Sequence, residues 1–194
     1  MIELERIEFL VSAAKGKTLD VGFNPKDTTL HNAIVAKLGE KKVIAIDTVV
    51  EKASPNTVKA SAEKMPFKNN CFDCIIAGEL IEHLQEPQSF IKECSRLLKK
   101  NGTLALSTPN KKSWINRLFH SYEAPLHFSL FSLEELKALL EKHSFKIISV
   151  KMLPYTMESS EGSKHKWFMP VRAFAHIFLP NSLRENTCIT AEKK

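Results

Sequence analysis

The 194-residue sequence predicts a doubly wound α/β protein: a mostly parallel sheet of seven strands with helices on both faces. Two observations carry that expectation. Segments with apolar residues at helical spacing alternate with short apolar runs, the rhythm of β-α-β units. One run, Val43-Ile44-Ala45-Ile46-Asp47, has almost no polar face, as suits a parallel strand buried on both sides.

The elements follow in order. Leu4, Ile7, Leu10, Val11 and Ala14 place a helix over 4–14, and Gly16 suits its stop. Lys17 to Gly22 reads as a short strand ending in glycine. Leu30, Ala33, Ile34 and Leu38 mark a second helix, stopped by Gly39. After the strand at 43–47 come a weak strand at 57–60 and a strong one at 72–77. Phe90, Ile91, Cys94, Leu97 and Leu98 line a helix ending near Asn101-Gly102. A strand at 103–107 is broken by Thr108-Pro109-Asn110. Ser132-Leu133-Glu134-Glu135 has the pattern of a capping box opening a helix to His143. The segments 145–153 and 187–192 are the last strands, without the β-α-β rhythm. The length suits one domain over 1–194, with insertions at about 110–131 and 154–186, the second too long for a simple connection.

Composition narrows the class. A 43% hydrophobic share is too high for a disordered chain. The longest strongly apolar run, Phe72 to Ala77, is far short of a bilayer span, and Met1-Ile2-Glu3-Leu4-Glu5-Arg6 lacks the layout of a signal peptide; a cytoplasmic protein is expected. Four cysteines in a chain this long do not suggest a disulfide framework. Cys71 and Cys74 have metal-type spacing but no second pair, so no metal site is expected. The net charge of +6 is mild and its basic residues are scattered, without a basic stripe interleaved with aromatics. That distribution reads as a solvated surface more readily than as a nucleic-acid face.

Chemistry concentrates at the ends of the early strands. In Leu19-Asp20-Val21-Gly22-Phe23-Asn24-Pro25 a strand enters a small-residue turn before a helix, which lets a ligand approach the backbone closely. Asn24, tolerant of a left-handed conformation, can partly replace a glycine. An ordinary β-α turn reads the same way. Asp47 ends the next strand about twenty residues past the loop, the spacing at which a carboxylate accepts both hydroxyls of a ribose; a helix cap is the alternative. Together they suggest a nucleoside cofactor without saying which.

Further along stand Ser61-Ala62-Glu63-Lys64-Met65-Pro66-Phe67, Phe72-Asp73-Cys74-Ile75-Ile76, Glu79-Leu80-Ile81-Glu82-His83-Leu84, Arg96 to Leu104 and Ser107-Thr108-Pro109-Asn110. With these motifs, over about residues 15–153, the chain resembles the class I S-adenosylmethionine-dependent methyltransferases, in particular the small-molecule group that includes ubiquinone-biosynthesis-like enzymes. The resemblance implies a Rossmann-like fold with an antiparallel last strand, S-adenosylmethionine as cofactor and S-adenosylhomocysteine as product. It implies that the glycine loop falls on Asp20, Gly22 and Asn24 and the ribose acid on Asp47. The adenine side falls on Ser61, Ala62 and Glu63, with Met65-Pro66-Phe67 closing that pocket. Gly78 and Glu79 would lie beside the methionine part. Asn24 for the second glycine and Ser61 for the usual acid depart from the family pattern.

An acceptor protonated at neutral pH would need a general base, and His83 and His127 are the candidates placed first, with Glu79, Glu82 and His120 behind them. Each histidine has a plain structural alternative: His83 packing a helix start, His127 bonding its own turn. The acceptor side is expected from the two insertions, as a small-molecule or lipid-like pocket. Residues 167–179 have helical apolar spacing that suits a lid, a peripheral membrane contact or a helix packed on the core. Two other functions stay open, an RNA methyltransferase and a non-catalytic cofactor-binding module. Against nucleic acid, Ala77-Gly78-Glu79-Leu80 is not the Asn/Asp-Pro-Pro-Tyr type of motif, and Thr108-Pro109-Asn110 offers no nucleophilic cysteine. A nicotinamide dehydrogenase is disfavoured because the dinucleotide fingerprint is missing.

Overall fold

The computed structural model describes residues 2–50, 56–114, 127–154, 178 and 180–194. Helix α1 (Ile2–Ser12) precedes β1 (Thr18–Val21), α2 (Thr29–Leu38), β2 (Val43–Asp47), β3 (Thr57–Lys59) and β4 (Phe72–Gly78). Then come α3 (Pro87–Leu97), β5 (Leu98–Pro109), α4 (Leu133–Lys142), β6 (Phe145–Leu153) and β7 (Asn186–Lys193). The seven strands form one sheet in the order β3-β2-β1-β4-β5-β7-β6. The pairs from β3 through β5 are parallel, and β7 runs antiparallel to both its neighbours, β5 and β6. This is the sheet expected from the sequence, and of the two last strands, which lack the β-α-β rhythm, β7 is the one that reverses.

Both faces of the sheet are covered, so its central strands alternate between two cores. Leu19, Val21, Ile75, Ala77, Leu104 and Leu106 pack on one face with Phe90, Ile91, Cys94 and Leu97 of α3 and Leu136, Leu139 and Leu140 of α4. The intervening Cys74, Ile76 and Ala105 pack on the other with Leu10 of α1 and Ile34 of α2. The period of two follows from the pleat. Each fully buried Leu, Ile or Phe contributes about 1.5–3 kcal/mol.

One boundary departs from the sequence reading. The third helix ends at Leu97, and Asn101-Gly102 lie inside β5. Phe72 pairs with Leu98 and Cys74 with Thr103, so Asp73 alone opposes Lys99 through Gly102. Asn101 takes φ 62° within this bulge. A turn-type dipeptide marked a kink in a strand, and local propensity cannot separate that from a helix stop.

The two expected insertions lie largely outside the described residues, as do residues 167–177, 179 and His120. Their described ends are tied together. The Asn110 side-chain amide donates to the carbonyls of Ser182 at 2.9 Å and Arg184 at 2.6 Å. No helix among the described residues is long and apolar enough to cross a membrane.

The capping box is formed. Ser132 Oγ accepts from the Glu135 amide at 3.2 Å, and Glu135 Oε2 accepts from the Ser132 amide at 2.8 Å. Ser132→Ala should lower stability by about 1 kcal/mol in a urea melt, the usual effect of losing such a cap. An unchanged midpoint would show that the box contributes nothing to α4.

Candidate functional site

The strand order reverses at β1: β2 lies on one side and β4 on the other. Chain segments leaving their carboxyl ends diverge, which opens a crevice there. Two adjoining pockets occupy it, sharing Gly22, Asn24 and Glu79. The smaller, about 220 Å³, is lined by Arg6, Asp20, Asp27, His31 and Gly78 among others. The larger, about 660 Å³, is lined by Asp47, Ser61, Ala62, Glu63, Leu80, His83 and Leu84 among others. Every residue assigned to cofactor binding from the sequence therefore lines one pocket or the other. Met65 and Phe67 do not: Met65 is buried, Phe67 packs edge-on against Phe72, and Arg96 binds both their carbonyls.

Gly22 turns the chain at φ 87°, a conformation strained for any residue with a Cβ. A Cβ there would also stand 3.1 Å from Leu80 Cδ1. The amides of Gly22 and Phe23 both donate to the Ile46 carbonyl, at 3.0 and 3.1 Å, tying the loop to the end of β2. Asn24 does not use a left-handed conformation, contrary to the expectation from its residue type. Instead its Oδ1 accepts from the Lys26 amide at 2.9 Å, an Asx turn that closes the loop on itself.

Glu79 stands where the pockets meet. Its φ of 50° is unusual for a side-chain-bearing residue and is held by bonds on both sides of the residue. The backbone amide donates to the Ser107 carbonyl at 3.0 Å. The carboxylate Oε1 accepts from Ser107 Oγ at 2.8 Å and Asn186 Nδ2 at 2.9 Å. Asp47 is half-buried; its Oδ1 accepts from the Val49 amide at 2.8 Å. Ser61 Oγ accepts from the Glu63 amide at 3.2 Å, and Glu63 Oε1 in turn accepts from the Glu86 amide at 2.8 Å.

At the rim, residues far apart in sequence meet. The His83 and His127 rings lie 5.0 Å apart between centroids, tilted by 49°. The backbone amides of Phe128 and Ser129 donate to the Glu82 carbonyl, which fixes His127 beside the turn Ile81–His83. His127 is held below the ordinary histidine range, first by burial and then by the neighbouring His83. The neutral form, the one able to take a proton, is thereby favoured. Ligand atoms of Glu82, His83 and His127 lie within 4.8 Å of one another, the only such group of three among the described residues. One carboxylate and two imidazoles are a donor set that divalent transition metals accept. Sequence spacing hid this cluster, because His127 lies in a segment with no periodic pattern.

Sequence reading also missed Arg6, Phe23 and His31. Arg6 comes from α1, where its charge looked like part of a solvated face, yet its Nη1 reaches Ser107 Oγ at 3.3 Å, behind Glu79. Beneath the rim, Glu82 is 1% exposed, with Oε2 accepting from Thr108 Oγ1 at 2.9 Å. Burial first and the nearby Glu79 second push its carboxyl up to about 8.

The family profile described as a methyltransferase domain matches residues 19–106. The ubiquinone biosynthesis O-methyltransferase of Pelagibacter ubique is 39% identical over 92 residues, covering 46% of this chain and 34% of the enzyme. The chain thus spans about a third of the length of that curated relative. Among solved structures, an S-adenosylmethionine-dependent methyltransferase of Archaeoglobus fulgidus superposes with TM-score 0.72 at 17% identity, covering 100% of this chain and 95% of the other. A geranyl diphosphate methyltransferase in complex with its cofactor superposes with TM-score 0.71 at 14% identity, covering 98% and 85%.

The Glu82 carboxyl binds its proton more tightly folded than unfolded, so it contributes stability that is full below about pH 4.5 and lost as pH rises toward about 8. Glu82→Gln removes that dependence while an amide oxygen can still accept from Thr108. Melting temperatures across this range should favour the variant increasingly with pH. A constant offset would show that Glu82 is ionised throughout.

Proposed function

We propose that the chain is a class I S-adenosylmethionine-dependent methyltransferase, a reading supported by the methyltransferase-domain profile over residues 19–106 and by the ubiquinone biosynthesis relative, and that it transfers a methyl group to a small-molecule or lipid-like acceptor docked at the rim of the β1 crevice. The observation that carries this reading is the pair of pockets meeting at Gly22, Asn24 and Glu79, with amino-acid chemistry in one and nucleoside chemistry in the other. The smaller offers a guanidinium, Arg6, for a carboxylate and the carboxylate of Asp20 for an ammonium. The larger offers Asp47 for ribose hydroxyls and Ala62, Leu80 and Leu84 as apolar wall for a purine, with Ser61 and Glu63 at its edge. Gly22 contributes close approach, and Gly78 with Glu79 flanks the join. These groups fit S-adenosylmethionine, which supplies a methyl group already activated on a sulfonium.

Much of the rate can then come from alignment and exclusion of water, and the chain's own residues act by holding the reactants. His83 and His127 are assigned as the bases for an acceptor that must lose a proton, the hindered protonation of His127 suiting it to that role. Glu82, holding its own proton at neutral pH, is assigned to supporting the turn that carries His83. The acceptor side is assigned to segments 110–131 and 154–186. An acceptor of the small-molecule kind is favoured by the ubiquinone-related name of the relative above. It is also favoured by the local neutralisation of lysines: Lys99 by Asp73, Lys111 by Glu135, Lys112 by Glu134 and Lys151 by Glu5. Paired in this way, those charges do not gather into a phosphate-binding stripe.

Incubation of metabolite extracts with the protein and methyl-labelled cofactor should yield a labelled small molecule, whereas label found only in RNA would reverse the assignment. Asp47→Ala should weaken S-adenosylhomocysteine binding by about 1–3 kcal/mol, the scale of hydrogen bonds to a charged group. An unchanged dissociation constant in calorimetry would remove Asp47 from the site.

A further inference from the structure

We propose that His31 is a positioning residue for the amino-acid end of the cofactor, acting by fixing the Asp20 carboxylate that receives the α-ammonium. This rests on the cofactor reading above and adds a residue that no part of that reading requires.

Asp20 sits near the end of β1 and is 3% exposed. A buried carboxylate without a partner is costly and tends to take up a proton. Burial does raise the proton affinity of Asp20, and its pairing with His31 opposes that rise. His31 Nδ1 lies 2.9 Å from Asp20 Oδ2, its one described hydrogen-bond partner. For Asp20 to be ionised it must accept in this pair, with the proton on Nδ1 of His31. The ring is held in turn by Phe23, edge-on at 4.8 Å between centroids, and by its place in the first turn of α2.

The loop explains why a side chain has this task. Its amides are largely spent within the protein: Gly22 and Phe23 on Ile46, Lys26 and Asp27 on Asn24. A loop closed in this way leaves few backbone donors for the ligand. Side chains must read the zwitterion, and the smaller pocket presents Arg6, Asp20, Asp27, His31 and Glu79 for it. Without His31, Asp20 would lose the donor that opposes its protonation and holds it stationary.

The test compares S-adenosylhomocysteine with 5′-methylthioadenosine, which lacks the amino-acid end, by calorimetry on the full chain. His31→Ala should weaken S-adenosylhomocysteine about tenfold and leave 5′-methylthioadenosine within about twofold. His31→Asn, whose amide can donate from near the Nδ1 position, should restore S-adenosylhomocysteine to within about threefold of the wild type, and it keeps the test alive should the alanine variant fold poorly. In an Asp20→Asn background, His31→Ala should cost nothing further, because both changes remove one interaction. Equal weakening of both ligands, no weakening of either, or full additivity with Asp20→Asn overturns the role of His31 while the cofactor reading stands. A wild type that binds neither ligand overturns that reading and this inference together.

Discussion

The reversal of strand order at β1 is the constraint on which everything else depends. β1 is buried along its whole length between β2 and β4. The segments that follow β1 and β4 must leave the sheet in different directions, and the first departure, at φ 87° and close past Leu80, favours a residue without a side chain. Gly22 satisfies that need. From it follow the two pockets, the placing of Asp20 in the smaller one, and the junction at Glu79 that belongs to both. A fold that lacked this reversal could carry the same residues without assembling them.

The crevice is also an electrostatic arrangement. Three carboxylates are distributed along it: Asp20 and Glu79 line the smaller pocket, and Glu82 is buried near Glu79. Each is handled differently. Asp20 has an imidazole, Glu79 has a hydroxyl and an amide from β5 and β7, and Glu82 keeps a proton. Burial, with Glu79 nearby, pushes the Glu82 carboxyl up, and burial raises Asp20 against the opposing effect of His31. The protein thus keeps acceptors where a cationic ligand would need them and a neutral acid under the turn that presents His83.

The fold was legible in the sequence because its signals are local and mutually consistent. Continuous apolar strands such as Val43 to Ile46, the capping box at Ser132 and helical spacing in α3 all point to the same architecture. The Gly22 turn and Asp47 could be read because each lies at a strand end at a spacing set by β-α-β geometry, while Asp20 and Ala62 are placed by the resemblance to the methyltransferase motifs. What could not be read depends on tertiary approach. Arg6 reaches the site from a helix whose sequence looks amphipathic, His31 looks like any polar position in a first turn, and His127 meets His83 only through backbone bonds to Glu82. The Asn101-Gly102 bulge failed for a similar reason: its pairing partner, Phe72 to Cys74, lies in another strand.

The most direct test of the central claim is a crystal structure of the protein grown with S-adenosylhomocysteine. The account requires the homocysteine arm beside Arg6 and Asp20, the sugar at Asp47 and the base against Ala62, with the thioether near Glu79. A ligand bound elsewhere, or a crevice filled by the protein's own side chains in the presence of saturating ligand, would contradict it.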